Sequence, residues 1–441
     1  MTVDARRRGQ DLGWLLVAAL SLMPLIFWFS AIPLSERFQD SASTLHSLAN
    51  IAALVGTAGF AVNLLLGARL RVVERLFGGL ERLYRAHRFV GYGALTLILF
   101  HALLVAFSKA LESGRGSAIE LFLPRAGWSV FTGVIALFGM SMAMVLTLLV
   151  RLKHETFVYV QRSFGLVFVL ASFHVFQVEG TKAYSHGLTV YMGALSALAI
   201  AAFIYRSILA GYLLRTWNYR VTEVNHLDHT VAEIVMLPED SEPMSFESGQ
   251  FVFVRVFHRS VGREPHPFTI ASSSTDPHVR FVVKALGDYT ADLVKLKLPA
   301  SARLEGPYGR FSYRLVANPK QIWIAGGIGV TPFLSMARSF NAEDHQIDLY
   351  YCTEGSNQAY FLDELFEISD HHPNFRVIPI RKVSLGHLTV EDIRGVSSEL
   401  PTIDFFICGP PIMIKSLKTQ LLELDVPSEQ IHYEDFGFLQ P

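Results

Sequence analysis

The chain has 441 residues and a formal net charge of -1, and this length allows two or three domains. The near-neutral charge excludes nucleic acid as an expected partner, because such binding requires many cations to neutralise phosphates. The only two cysteines are Cys352 and Cys408, so neither a disulfide framework nor a cysteine-rich metal site is expected. Long uncharged apolar runs fill the first half, whereas short apolar runs separated by turns follow from about residue 215. The sequence therefore predicts a membrane domain followed by a soluble one.

Six apolar stretches in the first half are long enough to cross a bilayer as helices. The first begins with a basic segment, as a signal peptide does, but its apolar run is long and no clear cleavage site follows, so we interpret it as a retained helix. Basic residues concentrate in alternate loops, and the positive-inside rule then places both termini in the cytoplasm. We therefore expect a multi-pass protein of the cell (inner) membrane, with the lipid bilayer as its partner. The predicted spans are 12–32, 45–66, 84–107, 128–150, 157–176 and 188–214.

Two of these spans carry histidines, which are costly inside a membrane and normally face the interior of a helix bundle. On the third span, His87 and His101 lie almost four turns apart on roughly one face, about 20 Å along the axis. On the fifth span, His174 lies at a depth comparable to that of His101. A single histidine would be explained by a hydrogen bond to a neighbouring helix. Two histidines from two helices at one depth are what a bis-imidazole haem requires, so we predict a haem b between His101 and His174, towards the outer face.

The other histidine of the third span, His87, lies near the cytoplasmic face and has no obvious partner. The position expected for a partner on the fifth span is Gln161, although an ideal helix does not place Gln161 and His174 on one face. Glutamine is a poor haem ligand beside imidazole. The inner site therefore holds either no haem or one bound by His87 with an unusual partner, for which His154 is a candidate. One haem is expected, and a second is left open.

The pattern of predicted secondary structure changes once along the second half of the chain. Short β-rich runs between residues 221 and 313 alternate with turns, which predicts a small antiparallel barrel. After residue 318, strands alternate with helical segments, which predicts a parallel sheet. This part opens with a strand, a glycine turn and a helix, QIWIAGGIGVTPFLSMARSF, and such glycines let the backbone approach a phosphate at a helix N-terminus. The predicted domains are a six-helix membrane domain at 1–214, a barrel at 215–316 and an α/β domain at 317–441.

Several motifs follow one another through this half: HPFTIASS, KALGDYTADL, GPYG, the glycine turn, YYCTEG and FFICGPPIMI. Each is weak alone, but their joint order resembles the ferredoxin-NADP reductase superfamily, and HPFT resembles the flavin-binding strand of its membrane branch, the NADPH oxidases and ferric reductases. The resemblance implies an FAD-binding barrel and an NAD(P)H-binding domain behind a haem-binding bundle. It also implies an aromatic residue near the C-terminus that covers the flavin, for which Phe436 is the best match and Phe438 the second.

The same resemblance implies roles for individual residues. The flavin ring would be bound by Pro267, Phe268 and Thr269 and flanked by His266. The FAD pyrophosphate would lie by Lys284, Gly287 and Thr290, since a cation, a small residue and a hydroxyl suit two negative charges. The pyrophosphate of the nicotinamide nucleotide would be held by Gly326, Gly327, Gly329, Val330, Thr331 and Pro332, with Cys408, Gly409 and Pro410 near the nicotinamide. We assign catalytic roles to Cys408 and Phe436; the alternatives are a buried strand-end thiol and a mobile hydrophobic tail.

One position bears on the choice of nucleotide. Many NADPH-using relatives place an arginine just after the third-strand motif, here YYCTEG, to bind the 2′-phosphate, a contact suited to a guanidinium fork. This chain has Thr353 and Glu354 there. Arg381 and Lys382 could take over that role from a nearby strand end, so both NADPH and NADH are open.

The order of these parts predicts a function. Nicotinamide gives up two electrons at once whereas haem iron accepts one, so a flavin must stand between them. We predict an oxidoreductase that moves electrons outward from cytosolic NAD(P)H through FAD and haem b, with oxygen as acceptor and superoxide as product. The alternatives are a ferric-chelate reductase, an electron donor to a separate periplasmic protein, and a haem-binding module without turnover. The outer loops 35–44, 108–127 and 179–187 are short and poor in metal ligands, which favours a small acceptor. The sequence has no EF-hand loop, so calcium gating is not expected.

Overall fold

A computed structural model describes most of the chain and divides it into two compact units, one within residues 8–213 and the other within residues 214–434. The first unit is helical, and the second contains an antiparallel and a parallel sheet, which confirms the predicted fold class. The described residues are 3–123, 127–150, 152, 154–177, 185–210, 214–239, 242–341, 344–355, 359–381, 388–394 and 400–434.

Among the described residues of the first unit, six helices are long and apolar enough to cross a membrane. Because such apolar lengths match the hydrocarbon thickness of a bilayer, the chain is a multi-pass membrane protein. The long helices are α1 (Val3–Ala31), α3 (Ser41–Gly67), α5 (Leu80–Ser113), α7 (Trp128–Leu149), α8 (His154–Gln177) and α9 (His186–Ile204), and the short ones are α2 (Leu34–Arg37), α4 (Arg71–Phe77) and α6 (Arg115–Glu120). A π-helical turn, Tyr205–Leu209, extends α9.

Helices α3 and α5 pack closely against each other, because small residues line their contact. A side chain at Gly56 would place its Cβ 3.0 Å from Ile98, and one at Gly59 would place its Cβ 3.6 Å from Ala94. Helix pairs in membranes approach closely where such residues face each other. The start of α3 is fixed by Asp40, whose carboxylate accepts a hydrogen bond from the backbone N–H of Ser43 at 2.7 Å. This packing brings backbone carbonyls of α3 within reach of side chains on α5.

The second unit begins with a nearly closed antiparallel sheet of six strands in the order β4-β3-β6-β1-β2-β5. Strand β6 buries alternate residues, as expected of a strand with one face on a core. The core contains large side chains such as Tyr219 and Phe281, each at most 1% exposed. The strands are β1 (Thr216–His226), β2 (Val231–Pro238), β3 (Phe251–Phe257), β4 (His266–Thr269), β5 (Val279–Lys284) and β6 (Ala300–Tyr308), and helix α10 (Asp288–Val294) follows β5.

A parallel sheet of five strands follows, in the order β11-β10-β7-β8-β9. The first strand, β7, lies in the middle, and the order reverses between β7 and β10. In such sheets a crevice opens at the carboxyl ends of the strands where the order reverses, and ligands bind there. The strands are β7 (Lys320–Gly326), β8 (Gln346–Thr353), β9 (Phe375–Arg381), β10 (Asp404–Cys408) and β11 (Ile431–Glu434), and the helices are α11 (Thr331–Arg338), α12 (Leu362–His371), α13 (Val390–Arg394) and α14 (Pro411–Glu423).

One contact between the barrel and the parallel-sheet domain is a hydrogen bond from the hydroxyl of Tyr360 to the carboxylate of Asp228. Asp228 lies in the turn between β1 and β2, where it also accepts bonds from Thr230 and from the backbone N–H of Val231. The Tyr360 hydroxyl is the main cause that lowers the pKa of Asp228 to about 2. The ionised carboxylate therefore contributes to stability above its ordinary pKa, and this contribution is lost as the pH falls towards 2.

We expect Tyr360→Phe to make the second unit more sensitive to acid. Without the hydroxyl, the pKa of Asp228 rises towards its ordinary value, so the loss of stability on acidification begins at a higher pH. The expected cost at neutral pH is about 1 kcal/mol or less, because the pair is partly exposed. Thermal release of bound FAD, followed by its fluorescence from neutral pH downwards, would measure the shift. Tyr433→Phe is the matched control, since its hydroxyl is bonded to Lys418. Identical acid profiles for the two variants would contradict this prediction.

Candidate functional site

The imidazoles of His101 and His174 are held in the same way. The Nδ1 atom of His101 lies 3.0 Å from the carbonyl oxygen of Ala49 on α3, and that of His174 lies 2.5 Å from the carbonyl oxygen of Ser129 on α7. A carbonyl oxygen can only accept, so Nδ1 carries the proton and Nε2 keeps its lone pair. Histidines that bind metal commonly have this arrangement, because the second bond fixes both the tautomer and the ring orientation. The chemistry of both imidazoles therefore fits an axial ligand of haem iron.

The two histidines also lie at a similar depth in the bundle. An aromatic cluster joins α3 to α8: Phe60 packs against Phe164 and Phe168, with ring centroids 6.4 and 5.1 Å apart. Along α3, Ala49, the partner of His101, lies about 16 Å from Phe60, at 1.5 Å per residue. Along α8, His174 lies about 12 Å from the midpoint between Phe164 and Phe168. As the second and fifth spans, these helices run in opposite directions, so both displacements point to one membrane face. Measured from Phe164 or from Phe168, the depths differ by at most about one and a half helical turns.

The ring of His174 also requires a glycine on the neighbouring helix. A Cβ added at Gly133 of α7 would lie 2.7 Å from Cε1 and Nδ1 of His174. Any larger residue there would displace the ring. Sequence reasoning did not identify Gly133 or the two carbonyl partners, since none of them carries a motif.

The inner position contains different groups. The Nδ1 atom of His87 lies 2.9 Å from the carbonyl oxygen of Asn63, so its Nε2 also keeps a lone pair. Gln161 donates a hydrogen bond from its side-chain nitrogen to the hydroxyl of Thr147 at 3.1 Å. In the described part of the chain, the side-chain oxygen of Asn63 is buried without a hydrogen-bond partner. One imidazole and one engaged amide do not fit a bis-imidazole haem. The side chain of His154 lies outside the described residues.

The predicted flavin strand is β4, which pairs antiparallel with β3. His266, Pro267 and Phe268 are partly exposed on it, whereas Thr269 is buried. The ring of His266 stacks on Tyr289, with centroids 3.7 Å apart and planes 24° apart, and the ring of Phe268 is nearly parallel to that of Tyr289 at 6.5 Å. Burial raises the pKa of Tyr289 above its ordinary value, so its hydroxyl stays protonated. Sequence reasoning missed Tyr289, although it lies inside KALGDYTADL.

The predicted pyrophosphate residues lie in and around the loop between β5 and α10. The hydroxyl oxygen of Thr290 accepts the backbone N–H groups of Leu286 and Gly287, at 2.9 and 3.0 Å. Thr290 therefore shapes the loop, and its hydroxyl is engaged. Gly287 is exposed, with open space around the position of a Cβ, and Lys284 is the last residue of β5. The three predicted residues thus lie within seven residues of one another in the chain.

Two glycine turns meet at the carboxyl ends of β7 and β10. These strands are parallel neighbours, with Cys408 opposite Ala325. A Cβ added at Gly329 would lie 2.6 Å from the carbonyl carbon of Cys408 and would overlap its oxygen, and one added at Gly409 would lie 3.0 Å from Gly326. The structure thus brings together the two segments that sequence reasoning predicted for the nucleotide. Their other members are Gly327, which has a φ of 54°, Val330 at the end of the turn, Thr331 and Pro332 at the start of α11, and Pro410 before α14.

Neighbouring strand ends complete this edge of the sheet. Thr353 of β8 lies opposite Arg381 of β9, which places a guanidinium-bearing residue beside the position relevant to nucleotide choice. Burial raises the pKa of the Cys352 thiol to about 12, so it stays protonated. Glu434 of β11 lies opposite the buried Cys408 and is itself buried, a placement that sequence reasoning did not foresee. Phe436, Phe438 and Lys382 lie outside the described residues.

Comparison with protein families adds three matches in chain order. Residues 52–172 match the ferric reductase like transmembrane component, residues 216–312 match an FAD-binding domain, and residues 323–419 match an oxidoreductase NAD-binding domain. The chain has the domain architecture of the NADPH oxidases and ferric reductases. This ferric-reductase-like protein is therefore a membrane oxidoreductase with FAD- and NAD(P)H-binding domains.

Curated relatives resemble about half of this ferric-reductase-like chain. A flavohemoprotein of Rhodopirellula baltica is 29% identical over 251 residues, which cover 50% of this chain and 61% of that protein. The reductase component of propane 2-monooxygenase from Rhodococcus jostii is 24% identical over 247 residues, covering 52% and 66%. Among solved structures, the FAD/NAD-binding domain of nitric oxide dioxygenase from Vibrio cholerae aligns with a TM-score of 0.45 and 21% identity, covering 50% of this chain and 98% of that one. The match spans less than two thirds of the length of either of these two relatives.

Proposed function

We propose that the chain moves electrons from NAD(P)H on the cytoplasmic side, through FAD and a haem b, to oxygen on the outer side. His101 and His174 would be the axial ligands. The observation that carries this proposal is the pair of imidazoles on α5 and α8, at similar depth, each with Nδ1 bonded to a carbonyl and Nε2 left with its lone pair. The net reaction would be the oxidation of one NAD(P)H by two oxygen molecules, giving NAD(P)⁺, two superoxide ions and one proton.

Each group of residues has a defined task in this proposal. The bound flavin would supply the change from a two-electron to a one-electron carrier. The segment at β4, with Tyr289 against His266, would bind and orient the flavin ring. The paired glycine turns at Gly329 and Gly409 would let the nucleotide approach the protein backbone closely, at the crevice of the parallel sheet. Glu434 and Cys408, buried side by side, would border the nicotinamide.

A ferric-chelate reductase is the second candidate. The observation that favours it is the match of residues 52–172 to the ferric reductase like transmembrane component. The first candidate is preferred because the outer loops are short and hold few acidic residues or histidines with which to bind a metal complex.

The acceptor can be tested with the purified full chain loaded with FAD and haem. We expect steady oxidation of NADH or NADPH with oxygen as sole acceptor, and reduction of a cytochrome c reporter that superoxide dismutase abolishes. Turnover only with a ferric chelate would establish the second candidate. Turnover only after adding a periplasmic protein fraction would identify the chain as an electron donor to a partner, and would overturn both.

We expect about one haem per FAD in this preparation, because among the described side chains the inner position offers one imidazole, that of His87. The ratio can be measured by the pyridine haemochrome assay against extracted flavin. Gln161→His adds an imidazole at the depth of His87 and is expected to raise the ratio towards two. Gln177→His, at the exposed outer end of the same helix, is the matched control. A ratio near two in the unmodified chain would contradict the single-haem prediction.

A further inference from the structure

We propose that Ser335, Arg338 and Ser339 are positioning residues for hydride transfer. They connect α11, the helix that follows the nucleotide turn, to the segment that follows the flavin strand β4. This inference rests on the proposed function, since it assumes that NAD(P)H reduces a flavin bound at β4. It goes beyond that function in naming the side chains that set the distance between donor and acceptor.

The two serines bind the barrel through short hydrogen bonds. The hydroxyl of Ser335 donates to the carbonyl oxygen of Ser272 at 2.8 Å. The hydroxyl oxygen of Ser339 accepts from the hydroxyl of Ser248 at 2.6 Å and from the backbone N–H of Ser274 at 3.0 Å. Ser248, Ser272, Ser335 and Ser339 are all buried. Buried hydroxyls that lose such partners are costly, so these contacts specify one arrangement of the two domains.

Arg338 adds a buried cation to the same contact. Its side chain is 8% exposed and donates two hydrogen bonds to the carboxylate of Glu364, at 2.7 and 2.8 Å. It also donates to the carbonyl oxygen of Ala271 at 2.8 Å, and it lies 3.5 Å from the carboxylate of Glu233 on β2. A buried guanidinium is stable only when its donors are satisfied, and its planar fork fixes their directions. Arg338 therefore binds both domains at once.

The position of these contacts in the chain links them to the reacting groups. Ser335, Arg338 and Ser339 follow the i, i+3, i+4 spacing of one helix face. Their helix begins directly after the turn at Gly327–Val330, and three of their barrel partners follow within five residues of Thr269, namely Ala271, Ser272 and Ser274. A shift at this contact would therefore move the nucleotide turn relative to the flavin strand. Rate is sensitive to such shifts, since a misplacement of about 1 Å can slow a reaction about a hundredfold.

In the step concerned, the C–H bond of the dihydronicotinamide breaks, and its hydrogen leaves with both bonding electrons for the flavin. NAD(P)H is oxidised to NAD(P)⁺, and FAD takes up the hydride together with a proton from solvent. In this proposal the three side chains lie at the contact between the two domains and not at the reacting atoms, so their effect would be on the donor–acceptor distance alone.

The test is anaerobic stopped-flow reduction of the flavin in the FAD-loaded full chain, with NADH and with NADH deuterated at the transferred position. Ser335→Ala removes the bond from the hydroxyl to the carbonyl oxygen of Ser272 and a longer one that the hydroxyl accepts from the backbone N–H of Gly249 at 3.4 Å, and Arg338→Met removes the cation. We expect flavin reduction at saturating nucleotide to slow about tenfold or more, with an altered isotope effect and little change in the apparent Kd for NADH. Ser369→Ala is the matched control, because it removes an equivalent bond, from the Ser369 hydroxyl to the carbonyl oxygen of Phe375 at 2.7 Å, elsewhere in the same domain.

The outcomes separate this inference from the function on which it rests. Unchanged rates and isotope effects in both variants, with a wild type that NADH reduces, would overturn the positioning role alone. If the slowing is in proportion to a loss of bound FAD, or if Ser369→Ala slows the reaction equally, the role of these side chains is structural. Either result would also overturn the positioning role. A wild-type flavin that neither NADH nor NADPH reduces would overturn the proposed function itself. If Arg338→Met does not fold, the milder Ser335→Ala decides.

Discussion

Replacement of His101 or His174 by alanine is expected to abolish the low-spin haem spectrum and leave NAD(P)H-dependent reduction of a soluble dye almost unchanged. A low-spin haem with two imidazole ligands needs a nitrogen on each face of the ring, so the loss of either removes the spectrum. Reduction of the dye requires only the flavin and the nucleotide, whose binding domains are in the second unit. Optical spectra of the dithionite-reduced protein, flavin content and dye reduction would be measured on each variant.

The control for this experiment is His186→Ala, at the exposed start of α9. It changes a histidine at the end of a span and should leave both the spectrum and the activities intact. Equal loss of haem and of dye reduction in the His101 and His174 variants would contradict the modular organisation. A retained low-spin spectrum in either variant would remove that histidine from the ligand pair.

The variant Gly329→Ala is expected to lose the use of NAD(P)H while it keeps FAD and haem. The added methyl would overlap the carbonyl group of Cys408, so the two nucleotide turns could no longer pack at the ends of β7 and β10. Overpacking of this kind lowers stability by about 1–3 kcal/mol. Because the displaced turn would also misplace the nucleotide, we expect kcat/KM for NADH to fall about tenfold or more. Dye reduction as a function of NADH concentration would measure the loss, with bound flavin quantified in parallel.

Gly93→Ala serves as the control, because an added Cβ there meets no neighbouring atom within 4 Å. It should behave as the unmodified chain. A normal kcat/KM for Gly329→Ala would show that the turn does not hold the nucleotide in the predicted way. Loss of FAD together with activity would show instead that the substitution damages the whole second unit.

The overall architecture could be predicted because it depends on extended patterns. Six apolar runs of bilayer length identified the spans, and the change from period-two strands to alternating strands and helices identified the two sheets. The short helices α2, α4 and α6 were not predicted, because four to seven residues are too few to show a periodic pattern. The structure begins α5 at Leu80 and ends it at Ser113, beyond the predicted span 84–107, because polar residues at helix ends weaken the apolar signal.

The detailed geometry of the sites could not be predicted, because it depends on how helices rotate against each other. Gln161 and His174 do not share a face of an ideal helix, yet both form hydrogen bonds to α7, through Thr147 and Ser129. Sequence reasoning offered no means to predict this, since the partner of His174 is a backbone atom. Similarly, the stacking of His266 on Tyr289 joins two motifs that are separate in the chain.

The backbone acceptors of the three intramembrane histidines have a consequence for genetic variation. Every residue type supplies a main-chain oxygen, so changing the side chain at positions 49, 63 or 129 cannot delete the group that orients each imidazole. A point mutation at one of these three positions therefore leaves in place the carbonyl oxygen that orients the imidazole. The orientation is vulnerable instead to changes that slide or unwind α3 or α7, such as an inserted residue or an internal proline. A mutational scan of haem content should accordingly tolerate replacements of similar size at those three positions, such as Ala49→Ser and Ser129→Ala, and reject single-residue insertions in the helical turns around them.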